Sequence, residues 1–515
     1  RSTLFPYTTL FRSSRGTLGA RLLRAAPLAA LLALAAGLRL EEFERPFLGH
    51  HAMRECDTAA IARHFHENGI DPLRPALSWD LDREILPNIS EFPLFPALVA
   101  VLHRTTGFRE ANGRGLNLAL SLLSLWLFQR LVRRWSGPAA ALAATLVLAF
   151  SPLHVYLSTA FTRHGGLEQC CMLLWLHLWD LWLRGGKAAW LAAWVPVAGI
   201  GLAMTPATGI LAGVSLAMAW SLGRWERAFH WKALLAGAAA LALPAAWFAW
   251  VAHVRGGLPT GLYSPGTALR DWTSPAYWVA WLDGRWFLTM GRMALLTAGT
   301  WAALALAACG LALRRPAPPA AWLLSAALYF AADSYVVTGF LHEYYFVIWA
   351  PALAWLAGAA LAFLAALVRP AAPAALAVLL LALAACGVHE GRARVAGWYR
   401  LAPVRPVDLL GWDRLVPRAD RVIYANLLGD VIYPADRKGW RLDLSSPDAP
   451  KRAAELLGKG ARWILVGRKG LGQGGGASLE ESLGLDTIKR MGLERIEPPE
   501  PLRGLLEPRL NLWRK

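Results

Sequence analysis

Between Gly49 and Pro72 the chain reads GHHAMRECDTAAIARHFHENGIDP, the densest cluster of ionisable groups in a sequence otherwise dominated by Ala, Leu and Trp. Each residue type here has a chemistry. Glu55 and Asp57 are carboxylates of the kind that draw a proton from a weak nucleophile. Arg54 and Arg63 are suited to an anion. His50 and His51, with Glu55 close behind, offer donors for a divalent metal. If Glu55–His66 is helical, Asp57, Ile61 and His64 fall near one face. The same residues also make an ordinary solvated loop with caps and surface ion pairs, so the stretch by itself leaves its role open. Further candidates stand elsewhere: Glu91 in SEFPLF, His164 and Glu168 in TAFTRHGGLEQ, Asp333 inside an apolar run, His342, Glu343, Tyr344 and Tyr345 in HEYY, and Arg437 and Lys438 in RKGW. An ionisable group within a membrane span, such as Asp333, is a functional candidate by default.

The elements that must position these groups are hydrophobic. Of 515 residues, 56% are hydrophobic and 17% charged, and the mean hydropathy is +0.37. Apolar runs of about 18 residues or more mark transmembrane helices. Here they cover roughly 18–40, 115–132, 138–158, 167–183, 188–204, 206–222, 233–251, 290–313, 320–340, 344–367 and 371–388. That is about eleven spans, with up to about 13 if ambiguous segments are counted. Many of the 26 Trp lie near the ends of runs, where they anchor helices at the bilayer interface. The net charge of +18 sits largely in short links between runs, where it orients helices, so nucleic-acid binding is not expected. The five Cys are scattered without a CxxC, which indicates neither a disulfide framework nor a zinc knuckle.

The charged links alternate. Arg21, Arg24, Arg130, Arg133, Arg134, Arg184, Lys187, Arg224, Arg227, Lys232, Arg314, Arg315 and Arg369 all fall on one side if the N-terminus is cytoplasmic. The C-terminus then lies outside. So does the polar loop 41–114, on the same face as the links 159–166, 252–289 and 338–344. Phe92–Phe108 contains Pro93, Pro96, His103 and Arg104 and reads as an amphipathic helix lying on the outer surface, as does the aromatic DWTSPAYWVAWLDGRWF. Residues 1–17 read as an artefact or a disordered segment, and the first span as an uncleaved anchor. The division expected is a membrane domain over 18–388 and an extracytoplasmic α/β domain over 389–515. In the latter, DRVIYANLLG and ARWILVG read as strands. APKRAAELLGKG reads as a helix, and SLEE at Ser478–Glu481 as a capping-box helix start. GQGGGAS reads as a loop, because it does not stand between a strand and a helix of a βαβ unit.

Four segments, in order, carry a resemblance: GHHAMRECDTAAIARHF, SEFPLFPALVAVLHRTTGFREANGRGLNL, LHEYYFVIWAPALAWLAG and IYPADRKGW. They resemble the polytopic GT-C glycosyltransferases, nearest to the family 39, protein-mannosyltransferase-like enzymes of bacteria that are relatives of the aminoarabinose transferase. The similarity covers about residues 18–445. It implies a GT-C membrane fold and transfer of a sugar from a polyprenyl-phosphate donor to an envelope acceptor, with Asp57 as the catalytic carboxylate. Glu55 and Glu91 are the next carboxylates in line. Where that family often has a second acidic residue, this chain has Arg163 and His164, and Glu168 is the nearest carboxylate. HEYY is then the external link that shapes the donor-phosphate and lipid site, with Arg54, Arg63, Arg437 and Lys438 as further phosphate contacts. No cofactor is assigned beyond a divalent metal, for which His50 and His51 are the candidate ligands. The expected setting is a bacterial inner membrane. A lipid-linked sugar transporter or flippase and a non-catalytic membrane scaffold are the competing classes. Against a transporter stands the lack of an internal repeat and the pooling of charge at one face.

Overall fold

The computed structural model describes residues 18–40, 49–79, 91–255, 274–282, 284–313, 317–332, 343–367, 372–399, 416–425, 437–467, 485–496 and 510–515, with a few positions between them. Residues 1–17, Asp333, His342, Gly472–Ser478 and Ser478–Glu481 lie outside the described residues.

Most of the chain is helical. In order the helices are α1 (Leu18–Leu40), α2 (Ala52–Asn68), α3 (Leu94–Thr106), α4 (Glu110–Phe150), α5 (Pro152–Ser158), α6 (Gln169–Gly185), α7 (Ala188–Met204), α8 (Leu211–Leu222), α9 (Trp225–Ala228), α10 (Trp231–Arg255), α11 (Pro275–Leu282), α12 (Arg285–Ala298), α13 (Trp301–Ala312), α14 (Ala317–Ala332), α15 (Ala350–Leu367) and α16 (Ala372–Tyr399). A π-turn, His164–Glu168, leads into α6, and a 3-10 segment, Glu343–Trp349, leads into α15.

Among the described residues, four helices are long and apolar enough to cross a bilayer: Glu110–Phe150, Trp231–Val254, Glu343–Leu367 and Pro373–Trp398. Shorter apolar helices accompany them at Ala26–Leu40, Ala188–Met204, Pro206–Leu222 and Ala317–Ala331. Their outward faces carry large apolar side chains such as Leu235, Leu288, Leu328 and Leu381, all exposed, as a surface facing lipid would. The helix α4 would be roughly 60 Å long if straight, twice a hydrocarbon core of about 30 Å. It is broken at Gly137, which has φ 85, ahead of Pro138. The two runs read at 115–132 and 138–158 therefore lie on either side of this break, the second continuing past Phe150 into α5.

The run 290–313 behaves differently from its reading as one straight span. It is two helices, α12 and α13, bent by 107°. Gly299 at φ 88 ends the first, and the Thr300 side chain caps the second by accepting from the Ala303 N–H. Ala298 and Trp301 on either side leave the hydropathy unbroken, so composition does not reveal the bend.

Helices α13, α15 and α4 are stacked through glycines. A Cβ on Gly310 would lie 2.2 Å from the Leu356 carbonyl oxygen, and one on Gly358 would lie 2.4 Å from the Ala144 nitrogen and 2.6 Å from the Ala140 carbonyl. Backbone approaches backbone at both places, and only Gly permits it. At the end of the molecule expected to be cytoplasmic, the buried Asp180 is held by Arg134 (3.2 Å), Arg184 (2.9 Å) and the Trp135 indole (3.1 Å).

The C-terminal part contains a five-stranded mixed sheet of order β2-β1-β3-β5-β4. The strands are β1 (Arg421–Ala425), β2 (Gly439–Leu442), β3 (Ala461–Gly467), β4 (Glu494–Ile496) and β5 (Leu510–Arg514). Strand β1 runs parallel to β2 and β3, while β5 is antiparallel to β3 and β4. Helix α17 (Ala449–Gly458) links β2 to β3, and α18 (Leu485–Arg490) precedes β4. Strand side chains alternate between two cores. Ile423, Ile464 and Val466 pack with Ala453, Leu456 and Leu457 of α17. Val422, Tyr424 and Leu465 belong instead to a core containing Phe47, Cys56, Ala59, Ala60 and Trp79. The sheet thus rests on the loop that carries the ionisable cluster. The Leu81 N–H donates to the Gly439 carbonyl at 3.2 Å, and the Gly439 N–H to the Ser78 carbonyl at 3.2 Å.

Candidate functional site

Helix α2 presents the cluster. It begins after His51, and its apolar side, Ala52, Cys56, Ala59, Ala60, Ala62 and Phe65, is buried. The small residues let it lie close to its neighbours. Arg54, in its first turn, reaches Glu91, which stands just before α3. Arg163, from the segment between α5 and α6, meets the same Glu91 oxygen. Arg163 also donates from Nε to the Thr205 hydroxyl at 3.0 Å. Burial pushes the Glu91 carboxyl up, but Arg163 and then Arg54 outweigh it, and its pKa lies below the ordinary carboxylate value. Burial works against the Arg54 cation, yet Glu91 raises its pKa further. Two guanidinium groups thus share one carboxylate. The Nη2 of the buried Arg163 has no hydrogen-bond partner among the described residues.

An aromatic wall adjoins this group. His164 stacks on Tyr344 with centroids 4.5 Å apart, and its Nδ1 is 2.7 Å from Glu168 Oε2. Tyr344 and Tyr345 touch through their hydroxyls at 3.4 Å. His51 meets the Tyr344 ring edge-on at 4.8 Å. On the far side of this wall His50, His51 and Glu343 bring their donor atoms within 4.8 Å of one another. The carboxylate in this group is Glu343, not Glu55, which faces another way: it is fully buried and accepts the Phe161 N–H at 2.6 Å.

A scan of protein-family models finds no match to the sequence, and a search of curated proteins finds none either. Solved structures do match. ArnT from Cupriavidus metallidurans bound to undecaprenyl phosphate superposes with a TM-score of 0.58 at 14% identity, covering 97% of this chain and 98% of that one. The chain has the GT-C fold. The oligosaccharyltransferase of Archaeoglobus fulgidus in complex with Zn and sulfate gives a TM-score of 0.50 at 15% identity, over 85% of this chain and 68% of that one. At such identities the likeness is one of fold, and it bears out the GT-C architecture read from the four ordered segments.

Within the GT-C fold the expected residues divide into three groups. Arg54, Glu91, His164, Glu168, Tyr344 and Tyr345 come together, with His50, His51 and Glu343 beside them. Asp57 lies half-buried on α2, one turn after Arg54. Arg63, Arg437 and Lys438 do not join this cluster through any of their observed contacts. The Arg63 guanidinium lies over the Tyr433 and Phe108 rings, 4.5 and 4.9 Å from their centroids. Arg437 is buried and donates to the Val416 carbonyl at 3.0 and 2.7 Å, bracing the sheet. Lys438 is exposed and pairs with Glu67 at 3.5 Å. Sequence reasoning did not assign Arg163 a role. The signal available was its position in an outer link, where an acidic residue is common in the resembled family.

Proposed function

We propose that this chain transfers a sugar from a polyprenyl-phosphate donor to an acceptor of the bacterial envelope, at the outer face of the inner membrane, with Asp57 as general base. The observation that carries the reading is the Arg54–Glu91–Arg163 cluster. Two guanidinium groups face one carboxylate, and one guanidinium nitrogen of the buried Arg163 is left over. A phosphate leaving group needs such donors as its charge develops. The GT-C fold shared with a protein solved with undecaprenyl phosphate supports the choice of donor.

In the proposed reaction the acceptor hydroxyl oxygen attacks the anomeric carbon. The bond from that carbon to the phosphate oxygen breaks, and its electron pair leaves on the phosphate beside Arg54 and Arg163. The hydroxyl proton passes to Asp57. Of the three carboxylates considered for the base, Glu55 is bound to the Phe161 backbone and Glu91 is enclosed by two arginines. Asp57, half-buried on α2, is the third.

The test is reconstitution in proteoliposomes with a polyprenyl-phosphate sugar. Asp57→Asn keeps the shape and removes the basicity. It is expected to insert as wild type does and to lose ~10²–10⁴-fold in turnover. Wild-type turnover in the variant would remove Asp57 from the role. Movement of intact donor across the bilayer without its consumption would favour a flippase.

A further inference from the structure

We infer that His50, His51 and Glu343 form a binding site for one divalent cation of the zinc class, at the junction of α2, the lead-in to α15 and the end of α16. The inference does not rest on the transfer reaction proposed above, although His51 packs against Tyr344 of the aromatic wall.

The donor geometry comes first. Nε2 of His50 lies 3.0 Å, and Nε2 of His51 3.4 Å, from the same oxygen, Oε2 of Glu343. In a tetrahedral zinc site with bonds of about 2.0–2.1 Å, neighbouring donor atoms sit roughly 3.3 Å apart. Each nitrogen therefore already stands at ligand spacing from the carboxylate oxygen, and the three donor atoms lie within 4.8 Å of one another. Two imidazoles and a carboxylate form a borderline set. They suit Zn²⁺ or Co²⁺ and not Mg²⁺ or Ca²⁺, which take oxygen donors.

The backbone is shaped to bring the rings together. Adjacent side chains of an extended chain point to opposite sides. Here His51 has φ 64 and ψ 20, the one non-Gly residue with positive φ among the described residues. Non-Gly residues adopt that conformation uncommonly, His more often than most. The turn sets the two imidazole centroids 3.9 Å apart, both toward Glu343. His50 is fixed independently. Its N–H donates to the Trp398 carbonyl at 2.9 Å, its ring stacks on the Trp398 indole at 4.8 Å, and its carbonyl accepts from the Tyr156 hydroxyl. A Cβ on Gly49 would lie 2.7 Å from the Trp398 carbonyl oxygen, so the approach to the site passes through a glycine.

All three ligands are half-buried. Three protein donors leave a fourth position for water or an anionic oxygen, the pattern of an open zinc site. The cation would join elements nearly 300 positions apart in the chain, and this predicts stabilisation on binding.

The experiment uses the full chain in detergent, stripped with a chelator and then dialysed against Zn²⁺ or Co²⁺. Wild type is expected to bind one equivalent of zinc by elemental analysis, to show the visible absorption of tetrahedral Co²⁺, and to unfold at a higher temperature with zinc than without. Glu343→Gln and His51→Ala should weaken zinc at least 10-fold and abolish the thermal shift. His64→Ala, on α2 but outside the group, should change neither. Glu343→Cys keeps the inference testable if other variants fold poorly, because a thiolate at 343 on Co²⁺ adds a near-ultraviolet charge-transfer band absent from wild type. Absence of stoichiometric metal in wild type overturns the inference. So does wild-type affinity in Glu343→Gln without a thiolate band in Glu343→Cys. Metal content and unfolding are read directly, so a failure here is distinguishable from a failure of sugar transfer.

Discussion

The buried carboxylate of Glu55 accepts the backbone N–H of Phe161 at 2.6 Å, a bond between residues 106 positions apart. Its neighbours in sequence give it meaning. Arg54 precedes Glu55, and Arg163 follows Phe161 by two residues. The bond ties together the two segments that carry the guanidinium groups converging on Glu91.

Glu55→Ala is accordingly expected to leave the Phe161 N–H buried without its acceptor, at a cost of about 1–3 kcal/mol. Glu55→Gln retains an acceptor oxygen and should lose less. Denaturant unfolding in detergent ranks the three proteins. Equal stability of the Ala and Gln variants would mean that the bond does not hold the segment.

Arg163→Gln tests the phosphate reading. Charge-assisted hydrogen bonds contribute about 1.5–3 kcal/mol each, which corresponds to an affinity loss of roughly 10- to 150-fold for a polyprenyl phosphate. Arg163→Lys keeps the charge but not the fork and should fall between. The measurement is lipid-phosphate binding to the purified, folded protein. If the affinity is unchanged while stability falls, Arg163 serves only to hold Glu91.

Glu91 carries a pH dependence. Its folded-state pKa is depressed below the ordinary 4.5. Such a group contributes stability that is present in full above the unfolded value and is lost as the pH falls through the folded one. Thermal unfolding of wild type should therefore steepen in its decline below about pH 4.5. Glu91→Gln should be less stable at neutral pH, because the buried Arg163 and the half-buried Arg54 lose their counter-charge, and flatter on the acid side. Parallel acid limbs for the two proteins would contradict this.

Membrane orientation is tested by cysteine labelling with an impermeant reagent. The alternation of basic links places Lys187 inside and α17 outside. Lys451→Cys, exposed on α17, should label in spheroplasts, and Lys187→Cys should label only after lysis. The opposite pattern would invert the topology and move the Arg54 cluster to the cytoplasmic face.

Much of the architecture was legible because hydropathy and β-branching report local preference. DRVIYANLLG and ARWILVG contain β1 and β3, APKRAAELLGKG contains α17, and the apolar runs are helices. What escaped depends on contacts distant in sequence. Glu343 completes the histidine pair from 293 positions away, so the nearer Glu55 was the natural guess. Arg163 joins Glu91 across 72 positions, and no local pattern announces that pairing. Arg437 looked available in RKGW, yet the sheet draws it inward to the Val416 carbonyl. The bend after Gly299 is hidden for another reason. A φ angle leaves no trace in hydropathy, and the only local hint was Thr300, a helix-capping residue in the middle of an apolar run.

The glycine contacts of α13, α15 and α4 also bear on how the site can open. Where backbones approach without intervening side chains, the helices are closely packed and leave little space between them. The Glu343–Trp349 segment continues directly into α15, so Glu343, Tyr344 and Tyr345 ride on an anvil. If the proposed transfer holds, room for an acceptor would fall to the opposing side, the turn at His51 with α2, set against a wall of helices joined backbone to backbone.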